Sequence, residues 1–410
     1  MKKILYALSI LLSVSCNTSR DDIGTGIPTI DIEKELSNFK ISKLSDYASF
    51  VRYVSLETDD ICLVTNTIRN VFVEDNKIFV FDYDPFLKVF DAEDGSYLYN
   101  IGGRGQGSGE LPYLNTVDIN PFTKKIYLSW SSFINEFDFE GNYLRSITKP
   151  VLDEDEIESI SHIITSLDEN LFAAAIQHYG DQQKTMIVIF TDEQEVVARL
   201  PGYENPIFPN STLISYSPHD QGGNFYRSNN TVNFYRGHTD TVFTYNVKES
   251  SFLPIVSINY GKHRTNMIFY PDSENPNFIK IRSISGNKEF IFFHFDTYKA
   301  SPEPFDDEIY RGDSFIQFVD YSIRGIYETT TGSFHFLNQP IPAIQGLEND
   351  LDGGVPLVVR NVSTDNKLID FYQADKFLSN AHKMSSYSDS FAQLVSQINE
   401  DDNPIILIAE

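Results

Sequence analysis

Hydrophobic and polar positions alternate along much of the chain, which is the period-two pattern of half-buried β-strands. Residues 77–101 and 125–147 repeat one order of strand, turn, strand, turn and strand, and the second copy follows the first by 46 to 48 positions. Gly95 and Gly141, each preceded by an acidic residue, indicate hairpin turns at matching places in the two copies. The spacing is close to the roughly 40 to 50 residues of a four-stranded propeller blade.

Six segment onsets of this kind can be traced, each opening a β-rich stretch after a polar turn residue: Ile78, Ile126, Leu171, Val232, Phe290 and Leu368. Successive onsets lie 45 to 78 residues apart, and the later intervals are the longer ones, so the later blades should carry longer loops. We therefore predict an all-β fold, a six-bladed β-propeller of four-stranded antiparallel blades with a short C-terminal helix.

An antiparallel sandwich or two smaller β domains would also produce many short strands with regular turns. Two features favour the propeller. No linker rich in proline, glycine and serine divides the chain, and the repeat runs from near residue 70 almost to the end. Radial repetition also leaves few exposed sheet edges in a long antiparallel protein.

One segment near the C-terminus has helical rather than strand periodicity. Its apolar side chains recur at i, i+3, i+4 and i+7, namely at Phe391, Leu394, Val395 and Ile398. Pro404 ends any helix before the strand-like residues 405–409. We expect this helix on the outside of the last blade, with the final strand completing the ring.

The first residues have the pattern of an export signal. Lys2 and Lys3 precede an apolar run at positions 4–14, which is shorter than the about 20 apolar residues of a membrane-spanning helix. Small residues then lead to Cys16, which resembles the bacterial lipobox, with Ser13 where leucine is usual. We predict cleavage after residue 15 and lipid attachment at Cys16. A conventional cleavage site near Cys16 is the alternative.

The chain is thereby divided into a signal peptide, a lipidated flexible tether and one β-propeller domain, at residues 1–15, 16–40 and 41–410. Gly24, Gly26 and Pro28 favour a mobile tether. The chain has two cysteines, so a lipid on Cys16 leaves Cys62 without an intrachain disulfide partner. Stability must then come from the core.

Composition and net charge limit the classes of binding partner expected for this chain. The formal net charge is −26, and loss of the two lysines of the signal peptide would make it −28. Such a field repels phosphate backbones and anionic headgroups, which argues against nucleic-acid binding and leaves the lipid as the membrane contact. The 23 Tyr and 32 Phe favour strands, while the single Trp disfavours a stacked-sugar platform.

Several segments keep a characteristic order and spacing: residues 51–60 (VRYVSLETDD), 78–91, 101–110 (IGGRGQGSGE), 117–119, 126–128, 349–354 (NDLDGG) and 403–409 (NPIILIA). Together they resemble the six-bladed, NHL-like β-propeller lipoproteins of Bacteroidetes over residues 45–410. Ser108 departs from the family, which more often has proline between the glycine and the glutamate here. The resemblance implies attachment to the outer membrane. Whether the body faces the surface or the periplasm stays open, because Asp21 and Asp22 match a surface-export signal only in part.

The glycine cluster at residues 102–109 does not fit a phosphate cradle. A dinucleotide fingerprint opens a helix and a P-loop continues with Lys and Ser/Thr, whereas Glu110, Leu111 and Pro112 follow here. We interpret the cluster as a blade-to-blade connection whose glycines supply positive φ, with Arg104 free to face the central channel.

Candidate metal ligands are few. Asp350 and Asp352, in the run NDLDGG, are the candidate calcium ligands, although runs of Asn, Asp and Gly are also ordinary turns. The eight histidines are dispersed, so no zinc site and no other cofactor is predicted. No nucleophile elbow is present, and catalytic and ligand-binding residues remain unassigned.

Two functions remain. The first is a binding or scaffold lipoprotein of the cell envelope, in glycan or nutrient acquisition, that holds a glycan or a partner protein at the face and channel of the propeller. The alternative is a carbohydrate-active hydrolase or lyase with its site at the channel mouth. The fold alone cannot separate them. A carboxylate pair about 5 to 9 Å apart in the mouth would favour a hydrolase.

Overall fold

The computed structural model describes residues 26–82, 84–152, 158–178, 185–202, 224–236, 239–265, 275–311 and 314–410. The predicted signal peptide and Cys16 lie outside these ranges. In the described part of the chain, six small antiparallel sheets form a ring, which confirms the predicted six-bladed β-propeller.

The N-terminal elements are β1 Thr29–Asp31, helix α1 Ile32–Glu35, β2 Phe39–Lys40, a 3-10 turn at Leu44–Asp46, and β3 Val51–Ser55. Blade 1 contains β4 Asn70–Glu74, β5 Lys77–Phe81, β6 Phe86–Asp91 and β7 Tyr97–Gly102. Blade 2 contains β8 Thr116–Asn120, β9 Lys125–Trp130, β10 Phe133–Asp138 and β11 Tyr143–Thr148. Blade 3 contains β12 Glu158–Ser166, β13 Leu171–His178, β14 Thr185–Thr191 and β15 Val196–Pro201.

Blade 4 contains β16 Asn224–Ser228, β17 Thr231–Tyr235, β18 Thr241–Asn246 and β19 Ser251–Asn259, and a 3-10 turn follows at Gly261–His263. Blade 5 contains β20 Ile279–Gly286, β21 Phe290–Thr297, the inserted hairpin β22 Phe305–Arg311 and β23 Ser314–Asp320, then β24 Ile323–Glu328 and β25 Phe334–Leu337. Blade 6 contains β26 Asn361–Val362, β27 Leu368–Tyr372, helices α2 Ala374–Ala381 and α3 Asp389–Val395, and β28 Ile405–Ala409.

The six predicted onsets all fall at the second strand of a blade, at or one residue after the start of β5, β9, β13, β17, β21 and β27. These strands are the most regular signal because they lie between two other strands and are mostly buried, as in β5 and β9. The longer late intervals have visible causes in the connection at 260–278, the hairpin inserted in blade 5 and the connection at 338–360.

The ring is closed by strands from both ends of the chain. Blade 6 has the order β26-β27-β28-β3, so β28 is the third strand and β3 from the N-terminus is the outermost. Ile406 pairs with Val54 and Ile408 with Arg52, in antiparallel register. The expectation that the final strand completes the ring is therefore incomplete, because the closure needs β3 as well.

The predicted tether is too long at its C-terminal end. Within residues 16–40, β1 pairs in parallel with β19 of blade 4, and β2 pairs in parallel with β25 of blade 5. Ile30 and Ile32 are 2% and 0% exposed, so residues 29–32 are packed core rather than linker. The glycines and Pro28 that suggested mobility precede these strands, which are too short for a clear periodic signal.

The predicted C-terminal helix is present as α3. Ser388 caps it by accepting the Phe391 N–H, and the buried Phe391 ring lies 5.2 Å from the ring of Tyr53 on the outermost strand of blade 6. This contact packs α3 against the outermost strand of blade 6, within the connection between β27 and β28. The sequence analysis missed α2, whose buried residues include Phe377.

Aromatic and aliphatic side chains fill the spaces between blades. Phe79 of blade 1 packs against Phe139 of blade 2 at 5.7 Å between ring centroids, and Tyr127 of blade 2 packs against Phe172 of blade 3 at 5.2 Å. The high Phe and Tyr content is thus largely a requirement of the core. Cys62 is buried and free.

Short and long connections separate onto two faces of the ring. Strands alternate in direction within a blade, so connections from first to second and from third to fourth strand share one face. On this turn face they are tight, as at 75–76, 92–96, 121–124, 139–142 and 229–230. The opposite loop face carries the long connections 103–115, 260–278, 298–322, 338–360 and 373–404.

Ring closure by β3 can be tested with two N-terminal deletions. A variant beginning at residue 41 lacks β1, α1 and β2 and should unfold cooperatively at a lower Tm. A variant beginning at residue 57 also lacks β3, leaves one edge of β28 unpaired, and should lose cooperative thermal unfolding. Circular dichroism melts and size-exclusion chromatography would measure both. An equally cooperative melt of the shorter variant would contradict closure by β3.

A buried lysine predicts a pH-dependent stability. Lys149 is 4% exposed, its Nζ donates to the carbonyls of Ser131 at 2.7 Å and Ser161 at 3.0 Å, and burial lowers its pKa to about 7. In the unfolded chain the lysine keeps its ordinary pKa near 10.5, so between pH 7 and 10.5 the unfolded state binds more protons. Wild-type stability therefore gains from rising pH in this window and loses that gain as pH falls through 7.

Lys149→Met removes this titration. The free energy of unfolding of wild type minus that of Lys149→Met should increase from pH 7 to pH 10, at about 1.4 kcal/mol per pH unit at most. Urea unfolding at pH 6, 8 and 9.5 would measure it. Lys288→Met, at an exposed turn, is the control and should show no such trend. A pH-independent difference for Lys149→Met would contradict the assignment.

Candidate functional site

The loop face is built up most strongly over blades 5 and 6. The second-to-third-strand connection of blade 5 carries the hairpin β22–β23, and that of blade 6 carries α2 and α3. Lys376 of α2 joins the two insertions, since its Nζ lies 2.8 Å from Asp307 Oδ1 of the hairpin. The two insertions therefore flank the boundary between blades 5 and 6 on the loop face.

Arginines recur at or near the start of the innermost strands of blades 1, 5 and 6. The sequence RNV occurs at 69–71 and again at 360–362, at the start of the innermost strands of blades 1 and 6, and RSI occurs at 282–284 on the innermost strand of blade 5. In both RNV copies the asparagine Oδ1 accepts the N–H of the following valine, at 2.9 and 2.8 Å. The sequence analysis missed this repeat, which the strand onsets could have revealed by alignment.

Arg282 projects from an irregularity in β20. The register of β20 against β21 shifts between Ile281 and Ser283, so Arg282 has no opposite partner. Its side chain is 62% exposed, and its Nη1 lies 3.5 Å from Asp296 Oδ1. Burial raises the pKa of Asp296, and Arg282 partly offsets that effect.

Arg360 is held more firmly. Its Nε donates to Asp370 Oδ1 at 2.8 Å, and its guanidinium lies 4.8 Å from the centroid of the Phe371 ring. Asp370 is fully buried and also accepts the backbone N–H groups of Val358 and Phe371. Burial raises the pKa of Asp370, while Arg360 is the strongest factor lowering it.

Arg324, on β24, has a different environment. Its Nε donates to Gln345 Oε1 at 3.2 Å, and Gln345 Nε2 donates in turn to the Ser322 carbonyl at 2.8 Å. No ion pair between described residues includes Arg324. Burial, together with the charges of Arg360 and Arg282, lowers the pKa of Arg324 to about 9. The guanidinium therefore stays charged at neutral pH.

His294 lies among these arginines and directly opposite Arg324 in the pairing of β21 with β24. Its Nε2 is buried and has no hydrogen-bond partner among the described residues. Burial depresses the pKa of His294 well below its ordinary value, and Arg324, Arg282 and Arg360 depress it further. The imidazole is therefore neutral at physiological pH. We call Arg282, Arg324, Arg360 and His294 the arginine mouth.

An open surface depression adjoins the arginine mouth at the base of the hairpin. Arg324 and Gln345 line it together with Phe39, Ser301, Glu303 and Asn338. The Ser301 hydroxyl is buried and lacks a partner among the described residues. The depression thus combines the Arg324 cation, the Glu303 carboxylate, one unsatisfied hydroxyl and an aromatic wall.

A second polar cluster, among Asp118, Thr165, Ser166 and Arg227, joins the innermost strands of blades 2, 3 and 4. Asp118 accepts hydrogen bonds from Thr165 Oγ1 at 2.8 Å and Ser166 Oγ at 2.6 Å, and Arg227 Nη2 donates to the Ser166 carbonyl at 2.8 Å. The Arg227 and Asp118 side chains are 8% and 11% exposed. This cluster ties blades together and is closed to solvent.

The structure gives the calcium candidates other partners. Asp350 accepts the N–H and hydroxyl of Ser45, at 3.0 and 2.7 Å, and Asp352 Oδ1 accepts the Tyr53 hydroxyl at 3.1 Å and the Gly354 N–H at 2.9 Å. Both carboxylates fasten the N-terminal segment to the connection before blade 6. No group of three or more metal-ligating residues occurs in the described ranges.

The glycine cluster connects β7 of blade 1 to β8 of blade 2, as the sequence suggested. Gly102 and Gly109 both have φ of +80°, which disfavours any side chain. Arg104 is exposed within this connection, and it pairs with Leu111 in an isolated bridge.

Comparison with known proteins gives a family and a fold. Residues 27–410 match the domain of unknown function DUF4934. No curated protein matches the chain. None of the described helices is long and apolar enough to cross a membrane.

Three solved structures are similar. A candidate exported protein from Bacteroides fragilis is 14% identical, with a TM-score of 0.62 over 94% of this chain and 99% of the other. A DUF4221 member from Bacteroides vulgatus is 11% identical, with a TM-score of 0.49 over 88% and 96%. U3-55K is 13% identical, with a TM-score of 0.44 over 88% and 98%. At these identities the first similarity supports the fold alone.

Proposed function

Since the chain belongs to the DUF4934 family, whose function is unknown, we propose from its own residues that it is a cell-envelope lipoprotein. In this proposal it is a non-enzymatic, NHL-like binding propeller that takes part in glycan or nutrient acquisition. The observation that carries the proposal is the arginine mouth on the loop face. A concave group of oriented polar side chains at the end of a rigid scaffold is a usual place for ligand binding.

The charge contrast supports a binding role for this face. The chain carries a formal net charge of −26, yet Arg282, Arg324 and Arg360 lie close enough together to influence one histidine. Asp370 compensates Arg360 and Asp296 lies near Arg282, so the charge that a ligand would offset is that of Arg324. A surface that only keeps an acidic protein soluble would not require three clustered arginines.

The carboxylates of the mouth favour binding over catalysis. Asp370 accepts hydrogen bonds from Arg360, Val358 and Phe371 and is 0% exposed, so its oxygens are committed to structure. Asp296 keeps 31% of its side chain exposed, and its raised pKa is the one property here that favours the alternative, a carbohydrate-active hydrolase or lyase. A product-release assay separates the two functions.

Attachment through Cys16 rests on the lipobox-like sequence and on the resemblance to Bacteroidetes lipoproteins. β1 lies on the outer edge of blade 4, where it pairs with β19. The 12 residues between Cys16 and β1, residues 17–28, can span at most about 45 Å when fully extended. The body would therefore stay close to the outer membrane.

Cys16→Ala should release the protein from the membrane fraction, because one acyl-bearing residue supplies the anchor. Fractionation of cells followed by immunoblotting measures this, with Cys62→Ala as the control that retains the anchor. Unchanged fractionation of Cys16→Ala would exclude lipidation there. Protease added to intact cells distinguishes surface exposure, in which the body is degraded, from a periplasmic location, in which it is protected until lysis.

The ligand class can be screened on the purified full chain with neutral and acidic oligosaccharides. At least one should raise the Tm, since a ligand that binds only the folded state stabilises it. Chromatography of the same mixtures should detect no shortened or unsaturated sugars. Product formation that Asp296→Asn abolishes would establish the enzymatic alternative, and the absence of any thermal shift would contradict glycan binding.

A further inference from the structure

Arg324 differs from its two neighbours in what its guanidinium contacts. Arg282 lies near Asp296 and Arg360 is bonded to Asp370, whereas Arg324 uses only Nε, toward Gln345. Its Nη1 and Nη2 have no partner among the described residues. The planar fork is therefore oriented by Gln345 and presents two adjacent donors, which is the arrangement that binds a carboxylate in bidentate fashion.

A charge balance limits the ligand. With Asp296 and Asp370 assigned to Arg282 and Arg360, Arg324 is the cation left without an ion-pair partner. Asp320 also acts on Arg324 electrostatically, but its Oδ1 accepts the Ser322 N–H at 2.6 Å and it forms no ion pair with Arg324. The excess is thus at most one positive charge, in a protein of net charge −26. Such a site suits a monoanion better than a phosphate or a polysulfate.

The surroundings of Arg324 suit a sugar that bears this charge. The depression beside Arg324 is open to solvent, so a sugar unit would lie against its surface rather than inside an enclosed pocket. Ser301 offers an unsatisfied hydroxyl, and Phe39 contributes an apolar wall. Glu303, which also lines the depression, has Oε2 bonded to the Gln339 N–H at 2.8 Å.

We infer that Arg324 binds the carboxylate of a uronic-acid residue, so that the ligand is an acidic rather than a neutral glycan. This inference rests on the proposed glycan-binding function. Gln345 is a positioning residue in this site, because it fixes the guanidinium through Nε and is itself fixed by the Ser322 carbonyl.

Isothermal titration of the full chain with trigalacturonate and with its fully methyl-esterified form tests the inference. The two ligands share sugar rings and differ in charge. Trigalacturonate should bind at least tenfold more tightly. Arg324→Gln should remove that preference, and Arg324→Lys should keep part of it, because lysine retains the charge without the fork. Lys288→Gln, in the same blade on the turn face, should leave the affinity within twofold.

Additional variants and ligands distinguish failure of this inference from failure of the proposed function. Gln345→Ala should weaken trigalacturonate binding while leaving Arg324 in place, and melting curves identify any variant that is unfolded. Equal affinity for the free acid and the ester, unchanged by Arg324→Lys and Arg324→Gln, would overturn the inference while leaving glycan binding intact. Tighter binding of a sulfated trisaccharide than of trigalacturonate would also overturn it. If no sugar binds, neutral or acidic, the proposed function fails as well.

Discussion

The pairing of β28 with β3 is the interaction on which the rest of the structure depends. A propeller is a closed ring only if its last blade is complete, and the C-terminal residues supply just three of the four strands of blade 6. The innermost strands add a second tie at the same seam, since Asn361 Nδ2 donates to the Val71 carbonyl at 3.1 Å and Thr364 Oγ1 donates to Glu74 Oε2 at 2.6 Å. Arg360 of the arginine mouth directly precedes Asn361, so the position of Arg360 depends on this tie.

Closure of the ring also allows the turn face and the loop face to carry connections of different lengths. When every blade is fixed by its neighbours, turns on one face can be reduced to a few residues, while insertions on the other face do not disturb the ring. The hairpin of blade 5 and the helices of blade 6 are such insertions, and the ion pair between Lys376 and Asp307 makes them support each other.

The blades could be predicted from the sequence because their second strands are buried and begin at polar turns, so Ile78, Ile126 and Leu171 mark real repeats. β1 and β2 could not, because strands of two or three residues that pair in parallel with a distant blade have no periodicity of their own. Arg282 and Arg324 come together through a strand irregularity and a cross-strand contact, which sequence spacing does not reveal. The run NDLDGG was ambiguous because carboxylates that fasten loops and carboxylates that bind calcium use the same residues.

The charge pairing and pKa values in the arginine mouth depend on how deeply each side chain is buried. Burial makes a charged group costly unless it is paired, and the arginines respond in different ways. Arg360 is compensated by the buried Asp370 and by the Phe371 ring, and Arg282 remains largely in solvent. Arg324 is buried enough for its pKa to fall to about 9, yet it is given a glutamine rather than a carboxylate. A neutral partner orients the guanidinium without cancelling its charge, which leaves that charge for a ligand.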